Sequence, residues 1–226
     1  MMKINNLTEK SDLYYDMNQI YERFSQVEDT PQKITKFLKL NVKGNVLDLG
    51  CGSGKYTSLL CENSLSYIGL DLSQNQINIA KTKSNNGKFI CSSAENISLN
   101  DNSIDFGVAC WVLGTILEED RRKKVLDEIK RVLKQEGEFY LIENAYGGEF
   151  ELLRGRTKDN RTCDYNNWLL NNDFKICKKF ETYFEFGSID EAKHIFSSIW
   201  GEDISKKIKS KKIKQKIIIF KFSNFN

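Results

Sequence analysis

The chain has 226 residues, of which 40% are hydrophobic and 29% are charged, and its formal net charge is +3 at pH 7. This length suits one domain with a core of its own. No apolar run approaches the roughly 18 residues of a membrane-spanning helix, and the N-terminal stretch "MMKINNLTEK" lacks the apolar segment of a signal peptide. We therefore expect a cytoplasmic protein without a membrane span.

Two helices are the first predicted elements. Ser11 is a candidate N-cap for a helix over residues 12–24, and Thr30 followed by Pro31 predicts a second helix that runs to about Leu40. Short apolar runs follow, and each is a predicted strand: 45–50, 66–72, 88–93, 105–111 and 137–145. Because these runs are apolar on both faces, they are typical of buried parallel strands.

Helix signals separate these strands. Ser73 and Gln76 form a capping-box pattern for a helix that continues through Lys81. A longer helix is predicted from Glu118, with Gly137 as its stop. Its apolar face carries Val125, Ile129, Val132 and Leu133. Alternating strands and helices favour a parallel sheet covered by helices on both sides.

The last third of the chain follows a different pattern. Residues 164–174 are predicted to be helical, and 175–186 alternate as a long strand. Ser188 and Glu191 form a second capping box before another helix, and 214–222 is a final strand. We expect these elements to complete the same sheet, so that residues 1–226 form a single domain.

Metal binding is not expected, because the six cysteines include no CxxC pair and His194 is the single histidine. Such thiols are typical of reduced cysteines in a reducing compartment.

Positive charge is concentrated near the C-terminus. Residues 206–226 hold eight lysines and no acid, which leaves 26 basic against 31 acidic residues in the rest of the chain. A basic segment of this kind suits contact with nucleic acid or an anionic surface. A solvated loop that leads into an edge strand guarded by lysines explains the same pattern.

The sequence "GCGSG" lies directly after the first predicted strand, at residues 50–54. Glycine permits positive φ angles and lets a ligand approach the backbone, and the N–H groups at a helix start suit an anionic group. Alone, the pattern also fits a plain turn. Asp71 ends the next strand, where an acid in a doubly wound sheet can accept both hydroxyls of a ribose. Together these features predict an adenosine-bearing ligand.

The spacing of the glycines discriminates between such ligands. A dinucleotide fold expects a third glycine at position 55, where this chain has Lys55, and the P-loop pattern does not fit. Asp48 precedes the turn and would repel a pyrophosphate but attract an ammonium group. S-adenosylmethionine (SAM) has an ammonium group, a carboxylate for the turn amides and a ribose for Asp71. SAM is therefore the predicted cofactor, and a nicotinamide oxidoreductase is the rival interpretation.

Four stretches together resemble the motifs of class I SAM-dependent methyltransferases, especially the branch of quinone-biosynthesis and other small-molecule enzymes. They are "VLDLGCGSGKYT", "YIGLDLSQNQINIA", "FICSSAENISLNDNSIDFGVACWVL" and "LKQEGEFYLIENA", within residues 44–145. The resemblance implies an α/β Rossmann-like fold with helices on both faces of a seven-stranded, mostly parallel sheet. Its order is 3-2-1-4-5-7-6, with strand 7 antiparallel. It also implies three parts along the domain: an N-terminal helical cap (1–43), a SAM-binding core (44–145) and a lid that also completes the sheet (146–226).

The resemblance also implies roles for residues at matching positions. Asp48 would lie near the methionine ammonium, Asp71 would bind the ribose, and Leu72 would lie against the adenine. The turn would wrap the methionine end of the cofactor with Gly50, Cys51, Gly52, Ser53 and Gly54.

The third motif departs from the pattern of the family. Many members have Asp-Ala-Glu, whose Asp bonds the adenine amine, whereas this chain has Ser93-Ala94-Glu95, which leaves the alanine backbone to read the base edge. Cys110 and Trp111 would end strand four beside the sulfonium. Tyr14 and Tyr21 are candidates to close the pocket, and ordinary helix packing explains them equally well.

Methyl transfer from a sulfonium requires alignment and exclusion of water, and it needs a base only if the acceptor must lose a proton. Glu143 is the candidate base, with Asn144 and Tyr146 beside it, whereas His194 fits a packing role. Residues 146–168 suit either a lid or a solvated connection. In a lid, three arginines would hold an acidic acceptor: Arg154, Arg156 and Arg161.

Enzymes that methylate base amines typically carry an Asp/Asn-Pro-Pro-aromatic motif after strand four. This chain has "ACWVLG" at that position, and Pro31 is its one proline, so nucleic acid is not the expected acceptor. We therefore expect a small-molecule acceptor. Two alternatives stay open: an RNA or protein methyltransferase that uses the lysine-rich segment, and a SAM-binding module without catalysis.

Overall fold

The computed structural model describes residues 18–156 and 160–224. Its strands are β1 Asn45–Leu49, β2 Ser66–Asp71, β3 Lys88–Cys91, β4 Ile104–Cys110, β5 Leu133–Asn144, β6 Lys175–Glu185 and β7 Lys212–Ser223. Its helices are α1 Asn18–Val27, α2 Lys33–Asn41, α3 Thr57–Glu62, α4 Gln74–Lys81, α5 Glu119–Val132, α6 Glu149–Leu153, α7 Arg161–Leu170, α8 Ile189–Trp200 and α9 Glu202–Ser205, with a 3₁₀ turn at Leu113–Thr115. The predicted cap Ser11 and the candidate Tyr14 lie outside the described residues.

The strands form one sheet in the order β3-β2-β1-β4-β5-β7-β6. All pairs from β3 to β5 are parallel, and β7 is antiparallel to both of its neighbours. This confirms the expected α/β fold, its strand order and the antiparallel strand. Alternate side chains of β1 enter different cores, Val46 on one face and Leu47 on the other, as a sheet with helices on both faces requires.

An aromatic cluster fills the space beyond β6. It joins Phe24 of α1 and Phe150 of α6 to Phe184 of β6 and Phe196 and Trp200 of α8. Ring centroids of Phe24 and Phe184 are 4.9 Å apart, and those of Phe196 and Trp200 are 4.8 Å apart. Because large aromatic side chains bury much apolar surface, this cluster fixes α1 and α6 over one end of the sheet.

The start of α2 differs from the prediction. The helix begins at Lys33, and Asp29 rather than Thr30 caps it, since its two carboxylate oxygens accept the N–H groups of Lys33 (3.0 Å) and Ile34 (2.7 Å). The Thr30 hydroxyl instead donates to the Val27 carbonyl at 2.8 Å. A carboxylate can satisfy two helix N–H groups at once, whereas a threonine hydroxyl satisfies one.

The junction of α5 and β5 also differs. The helix ends at Val132, and Leu133 already pairs with Ile104 of β4, so Gly137 lies within the strand and the prediction that it stops the helix is wrong. A Cβ atom at Gly137 would lie 2.8 Å from Leu133 Cδ1 and 2.9 Å from the Ile104 carbonyl oxygen. Close packing at an irregular strand pair therefore requires the glycine.

The position of β7 corrects one interpretation of the lysine-rich segment. β7 lies between β5 and β6, so it is not an edge strand. Four of the eight lysines form ion pairs with acids: Lys206, Lys212, Lys214 and Lys221. Within the described residues, no helix has both the length and the apolar character needed to cross a membrane.

Candidate active site

A cavity of about 490 Å³ opens at the carboxyl ends of β1, β2, β4 and β5. Its size is typical of small-molecule sites, which occupy roughly 300–1,000 Å³. Its lining includes fourteen of the residues predicted to bind the cofactor or to act as a base: Tyr21, Asp48, Gly50, Cys51, Gly52, Ser53, Asp71, Leu72, Ser93, Ala94, Glu95, Cys110, Trp111 and Glu143. Gly54 is not among the lining residues and packs against α4, with a Cβ position 3.0 Å from Ala80 Cα. The fold thus gathers residues that are far apart in the sequence at one end of the sheet.

The turn after β1 depends on its three glycines. Gly50, Gly52 and Gly54 have φ angles of 73°, 53° and 84°. A Cβ atom at Gly50 would lie 2.3 Å from Val112 Cγ2, so the close approach of the next loop also excludes a side chain there. The sequence prediction of positive φ angles is confirmed.

The turn uses most of its amide groups internally. Gly50 and Cys51 donate to the Leu70 carbonyl (2.7 and 3.0 Å), Gly52 donates to Asp71, and Gly54 donates to the Cys51 carbonyl (3.0 Å). These four N–H groups are therefore not available to a ligand carboxylate, contrary to the prediction for the turn amides. The bonds instead hold the turn in shape against β2 before any ligand binds.

Asp71 joins the turn to the end of β2. Its Oδ2 accepts the Gly52 N–H at 2.8 Å and its Oδ1 accepts the Ser73 N–H at 2.9 Å. Burial raises the pKa of this carboxyl, and the N–H donors oppose that effect. Each oxygen keeps a free lone pair, so the carboxylate can still accept hydroxyl groups from the cavity.

Asp48 is 4% exposed and has no cationic partner among the described residues. The Tyr67 hydroxyl donates to its Oδ2 at 3.0 Å, and Tyr67 lies 2.9 Å from the Thr57 hydroxyl. Burial raises the pKa of Asp48 to about 7. A buried carboxylate is costly unless a positive charge accompanies it, so this position suits the cationic end of a ligand.

Two buried polar groups of residues that line the cavity have no hydrogen-bond partner within the described part of the chain. They are the Tyr56 hydroxyl and the Trp111 indole N–H. Trp111 directly follows β4 and has a positive φ of 57°, an uncommon conformation for a large residue and one that marks functional sites in many proteins. Buried polar groups are normally satisfied, so these two fit contact with a ligand.

Lys55 and Glu28 form a partly buried ion pair that the sequence did not reveal. Lys55 Nζ lies 3.3 Å from Glu28 Oε2 and donates to the Glu28 carbonyl at 3.0 Å, and Gln215 donates to Glu28 Oε1 at 3.1 Å. The Lys55 ammonium also lies 5.5 and 5.8 Å from the ring centroids of Tyr56 and Trp111. No local pattern links residues 28, 55 and 215, so only the fold brings them together.

The adenine side of the predicted site has one apolar and one polar component. Leu72 is 59% exposed, which leaves an apolar surface free beside the cavity. The Ser93 hydroxyl accepts the Glu95 N–H at 3.2 Å, and Glu95 pairs with Arg121 at 2.6 Å. The Ser93 and Glu95 side chains are therefore engaged locally, which agrees with backbone rather than side-chain contact to a base.

One group of residues in the cavity lining, which we call the second lobe, consists of Phe24, Glu143, Phe150, Glu151, Arg154 and Tyr165. Glu143, at the end of β5, is 4% exposed and accepts the Tyr165 hydroxyl at 2.9 Å. Burial raises its pKa to about 8, although the Tyr165 hydroxyl and the Gly114 N–H oppose the effect. Its carboxyl group is therefore mostly uncharged at neutral pH.

The helices α6 and α7 form where the sequence allowed either a lid or a solvated connection. Arg154, Arg156 and Arg161 all line the cavity, as the lid interpretation predicts. Residues 157–159 between them lie outside the described residues.

Comparison with known proteins agrees with this geometry. Residues 47–141 match a family model described as a methyltransferase domain. The chain is 27% identical over 187 residues, 79% of its length, to the tRNA (carboxymethyluridine(34)-5-O)-methyltransferase ALKBH8 of Macaca fascicularis, and it covers 28% of that protein. It is 30% identical over 145 residues to the demethylmenaquinone methyltransferase of Thermotoga maritima, which covers 63% of this chain and 60% of that protein.

A solved structure shows the same fold. The YcgJ protein from Bacillus subtilis superposes with a TM-score of 0.57 at 18% identity, over 83% of this chain and 94% of that one. The chain spans about a quarter of the length of the tRNA methyltransferases that it matches.

Residues 47–141 thus match a methyltransferase domain, and the motifs and strand order agree with those of class I SAM-dependent methyltransferases. SAM is the methyl donor of this enzyme class.

Proposed function

We propose that this protein transfers the methyl group of SAM to a small-molecule acceptor that enters the second lobe. The observation that carries the proposal is one cavity whose lining includes both the glycine turn with its two buried aspartates and the buried side chains of the second lobe, which come from α1, β5, α6 and α7. Such a cavity lets a donor and an acceptor meet away from water.

The residues of the first part of the cavity fit the cofactor. SAM supplies a methyl group on a positively charged sulfur, an ammonium group and a ribose. Asp48 is buried, has no cationic partner in the part of the chain that the structure describes and would hold the ammonium, and Asp71 has free lone pairs for the ribose hydroxyls. Leu72 offers its exposed side chain to the adenine. Cys110 ends β4, Trp111 follows it, and both line the cavity.

The residues of the second lobe would position the acceptor and exclude water. Phe24, Phe150 and Trp200 close its far side as part of the aromatic cluster. Glu143 as a general base stays a prediction, and its raised pKa restricts that role to pH values near or above 8. Below that pH its carboxyl group would donate a hydrogen bond to the acceptor.

The burial of the second lobe favours a small acceptor. Phe150, Glu151 and Tyr165 are each no more than 8% exposed, so only a group that enters the cavity reaches them. Half of the lysines of the C-terminal segment already pair with acids, which weakens the case for a nucleic-acid surface.

RNA is the second candidate acceptor, and the similarity to a tRNA methyltransferase over 79% of the chain favours it. The two relatives described above act on chemically different acceptors, a uridine in tRNA and demethylmenaquinone, so neither name decides the question. An RNA acceptor would have to insert a flipped base into the second lobe.

Two measurements test the proposal. Calorimetry should show binding of SAM and no binding of NADH, and Asp71→Asn should weaken SAM binding at least about tenfold, because a charge-assisted hydrogen bond contributes about 1.5–3 kcal/mol. The matched control is Asp203→Asn, at a site 96% exposed on α9, which should bind SAM normally.

Cell extract incubated with the protein and methyl-labelled SAM should then be separated into small molecules, RNA and protein. Label in the small-molecule fraction supports the proposal. Label in RNA alone would transfer the assignment to the second candidate, and SAM that fails to bind the folded protein would contradict the proposed function altogether.

A further inference from the structure

We propose that the acceptor carries a carboxylate group and that Arg154 binds this group in the second lobe. The inference rests on the proposed function, because it concerns the acceptor of the same reaction. It starts from the guanidinium of Arg154, whose plane is fixed and whose donors are only partly used.

Three neighbours orient Arg154. Its Nη1 donates to Glu151 Oε1 at 3.2 Å, and its guanidinium carbon lies 4.9 Å from the ring centroid of Phe150 and 5.4 Å from that of Trp200. Glu151 is itself 2% exposed and accepts the Thr162 hydroxyl. The guanidinium is thus oriented by an ion pair and two aromatic faces before an acceptor arrives, which reduces the entropy lost on binding.

The remaining donors of Arg154 are available to a ligand. Its Nε and Nη2 atoms have no acceptor among residues 18–156 and 160–224, and the side chain is only 18% exposed. These two atoms form one edge of the guanidinium, and that edge matches the two oxygens of a carboxylate. Since Arg154 lines the cavity, a carboxylate there would complete the hydrogen bonding of a cation that burial makes costly.

Three carboxyl groups also line the second lobe or its border, so an amine is the main alternative acceptor. Glu28 already pairs with Lys55, and Glu151 pairs with Arg154. Glu143 has no cationic partner within the described residues, but burial raises its pKa to about 8, so its carboxyl group is mostly uncharged at neutral pH. The lobe therefore presents no free negative charge to a cationic acceptor.

Methylation of a carboxylate also agrees with an uncharged Glu143. An oxygen of the carboxylate attacks the methyl carbon, a new O–C bond forms, the C–S bond breaks, and its electron pair stays on sulfur. The negative charge of the carboxylate and the positive charge of the sulfonium disappear together. The products are a methyl ester and S-adenosylhomocysteine, no proton is released, and no general base is needed.

A matched series of probes tests this inference by binding. Protein saturated with S-adenosylhomocysteine is titrated calorimetrically with phenylacetate, phenylacetamide and phenethylamine, which share one ring and differ in the polar group. The acid should bind at least about tenfold more tightly than the amide, as a charge-assisted pair predicts. Arg154→Gln should reduce the affinity for the acid to the affinity for the amide. Arg154→Lys should give an affinity for the acid between these two values, because lysine keeps the charge and loses the paired donors.

Two controls accompany these variants. Arg23→Gln removes an arginine from a surface ion pair with Glu191 and should leave the preference for the acid intact. Binding of S-adenosylhomocysteine should be unchanged in Arg154→Gln, which also shows that the variant is folded. Four results would each overturn the inference: equal binding of the acid and the amide, tighter binding of the amine, no binding of any probe, or a preference for the acid that persists in Arg154→Gln.

Turnover gives a second readout. With methyl-labelled SAM and phenylacetate, mild alkali should release the label as methanol, because a methyl ester hydrolyses whereas N-methyl and ether products do not. A pH indicator should show no proton release per turnover. Alkali-stable label in small molecules would refute the carboxylate assignment and leave the proposed function intact, whereas absence of SAM binding would remove both.

Discussion

Substitution of Glu143 gives the sharpest single test, because the buried environment of this residue disfavours ionisation of its carboxyl group. The side chain is 4% exposed, its partners are the Tyr165 hydroxyl and the Gly114 N–H, and its pKa rises from 4.5 to about 8. Burial in a low-dielectric site disfavours the ionised form, and two neutral donors do not compensate. Glu143→Gln keeps the size and the hydrogen-bonding capacity of the side chain and removes its titration.

The magnitude follows from the two pKa values. A difference between 4.5 and about 8, at about 1.4 kcal/mol per pH unit, corresponds to about 5 kcal/mol as an order of magnitude. Because the folded pKa is the higher one, the folded state keeps the proton longer than the unfolded chain. The stabilisation is complete below pH about 4.5 and is lost as the pH rises through about 8.

The assay is urea unfolding of the wild type and Glu143→Gln between pH about 5 and about 8. The free energy of unfolding of the variant minus that of the wild type should increase by about 3.5 kcal/mol over this interval, because all other titrations cancel. Glu136→Gln, an exposed position on the same strand, is the matched control and should show no such trend. A flat difference for Glu143→Gln would refute the reasoning about its burial.

The same variant separates two roles of Glu143 in catalysis. If the acceptor is a carboxylate, Glu143→Gln should keep most of the turnover at neutral pH. If Glu143 is a general base, turnover should fall by about 10²–10⁴-fold, with wild-type activity that rises towards pH 8.

Two further predictions concern the cofactor end of the cavity. SAM should bind more weakly as the pH falls through about 7, because a protonated Asp48 no longer attracts the ammonium group of SAM. Asp48→Asn should bind SAM weakly at every pH in this range. Calorimetry across the range is the test, and a wild-type affinity for SAM that does not change with pH would contradict the prediction. Gly50→Ala should cost about 2–4 kcal/mol in urea unfolding, since φ is +73° and the new Cβ would lie 2.3 Å from Val112. Gly147→Ala, with φ +82° and no atom within 4 Å, should cost about 1 kcal/mol, so equal costs would show that the contact with Val112 is unimportant.

Local signals predicted the core of the fold correctly. The apolar run of β1, the glycines after it and the acid at the end of β2 each determine backbone geometry within a few residues. Both capping boxes are present, with the Ser73 hydroxyl accepting from Gln76 and the Ser188 hydroxyl accepting from Glu191. The strand order came from the resemblance to the family, because no local pattern encodes which strands pair.

Errors occurred where a distant segment decides a local choice. Thr30 is a good N-cap by type, but Asp29 caps α2, where it also accepts the Thr182 hydroxyl of β6 at 2.6 Å. Gly137 resembles a helix stop, but pairing of Leu133 with Ile104 starts the strand four residues earlier. In both cases a tertiary contact outweighs a local preference of about 1 kcal/mol.

The sequence by itself determined the glycine turn and the positions of the two aspartates in β1 and at the end of β2, because short-range spacing carries that information, and its motifs indicated the methyltransferase class by resemblance. Only the tertiary structure decided the electrostatic state of the cavity. It buried Glu143 beside Tyr165, paired Lys55 with Glu28, and placed Arg154 against two aromatic rings. Charge and hydrogen bonding in a cavity depend on which distant side chains share it, and that is a property of packing rather than of spacing along the chain.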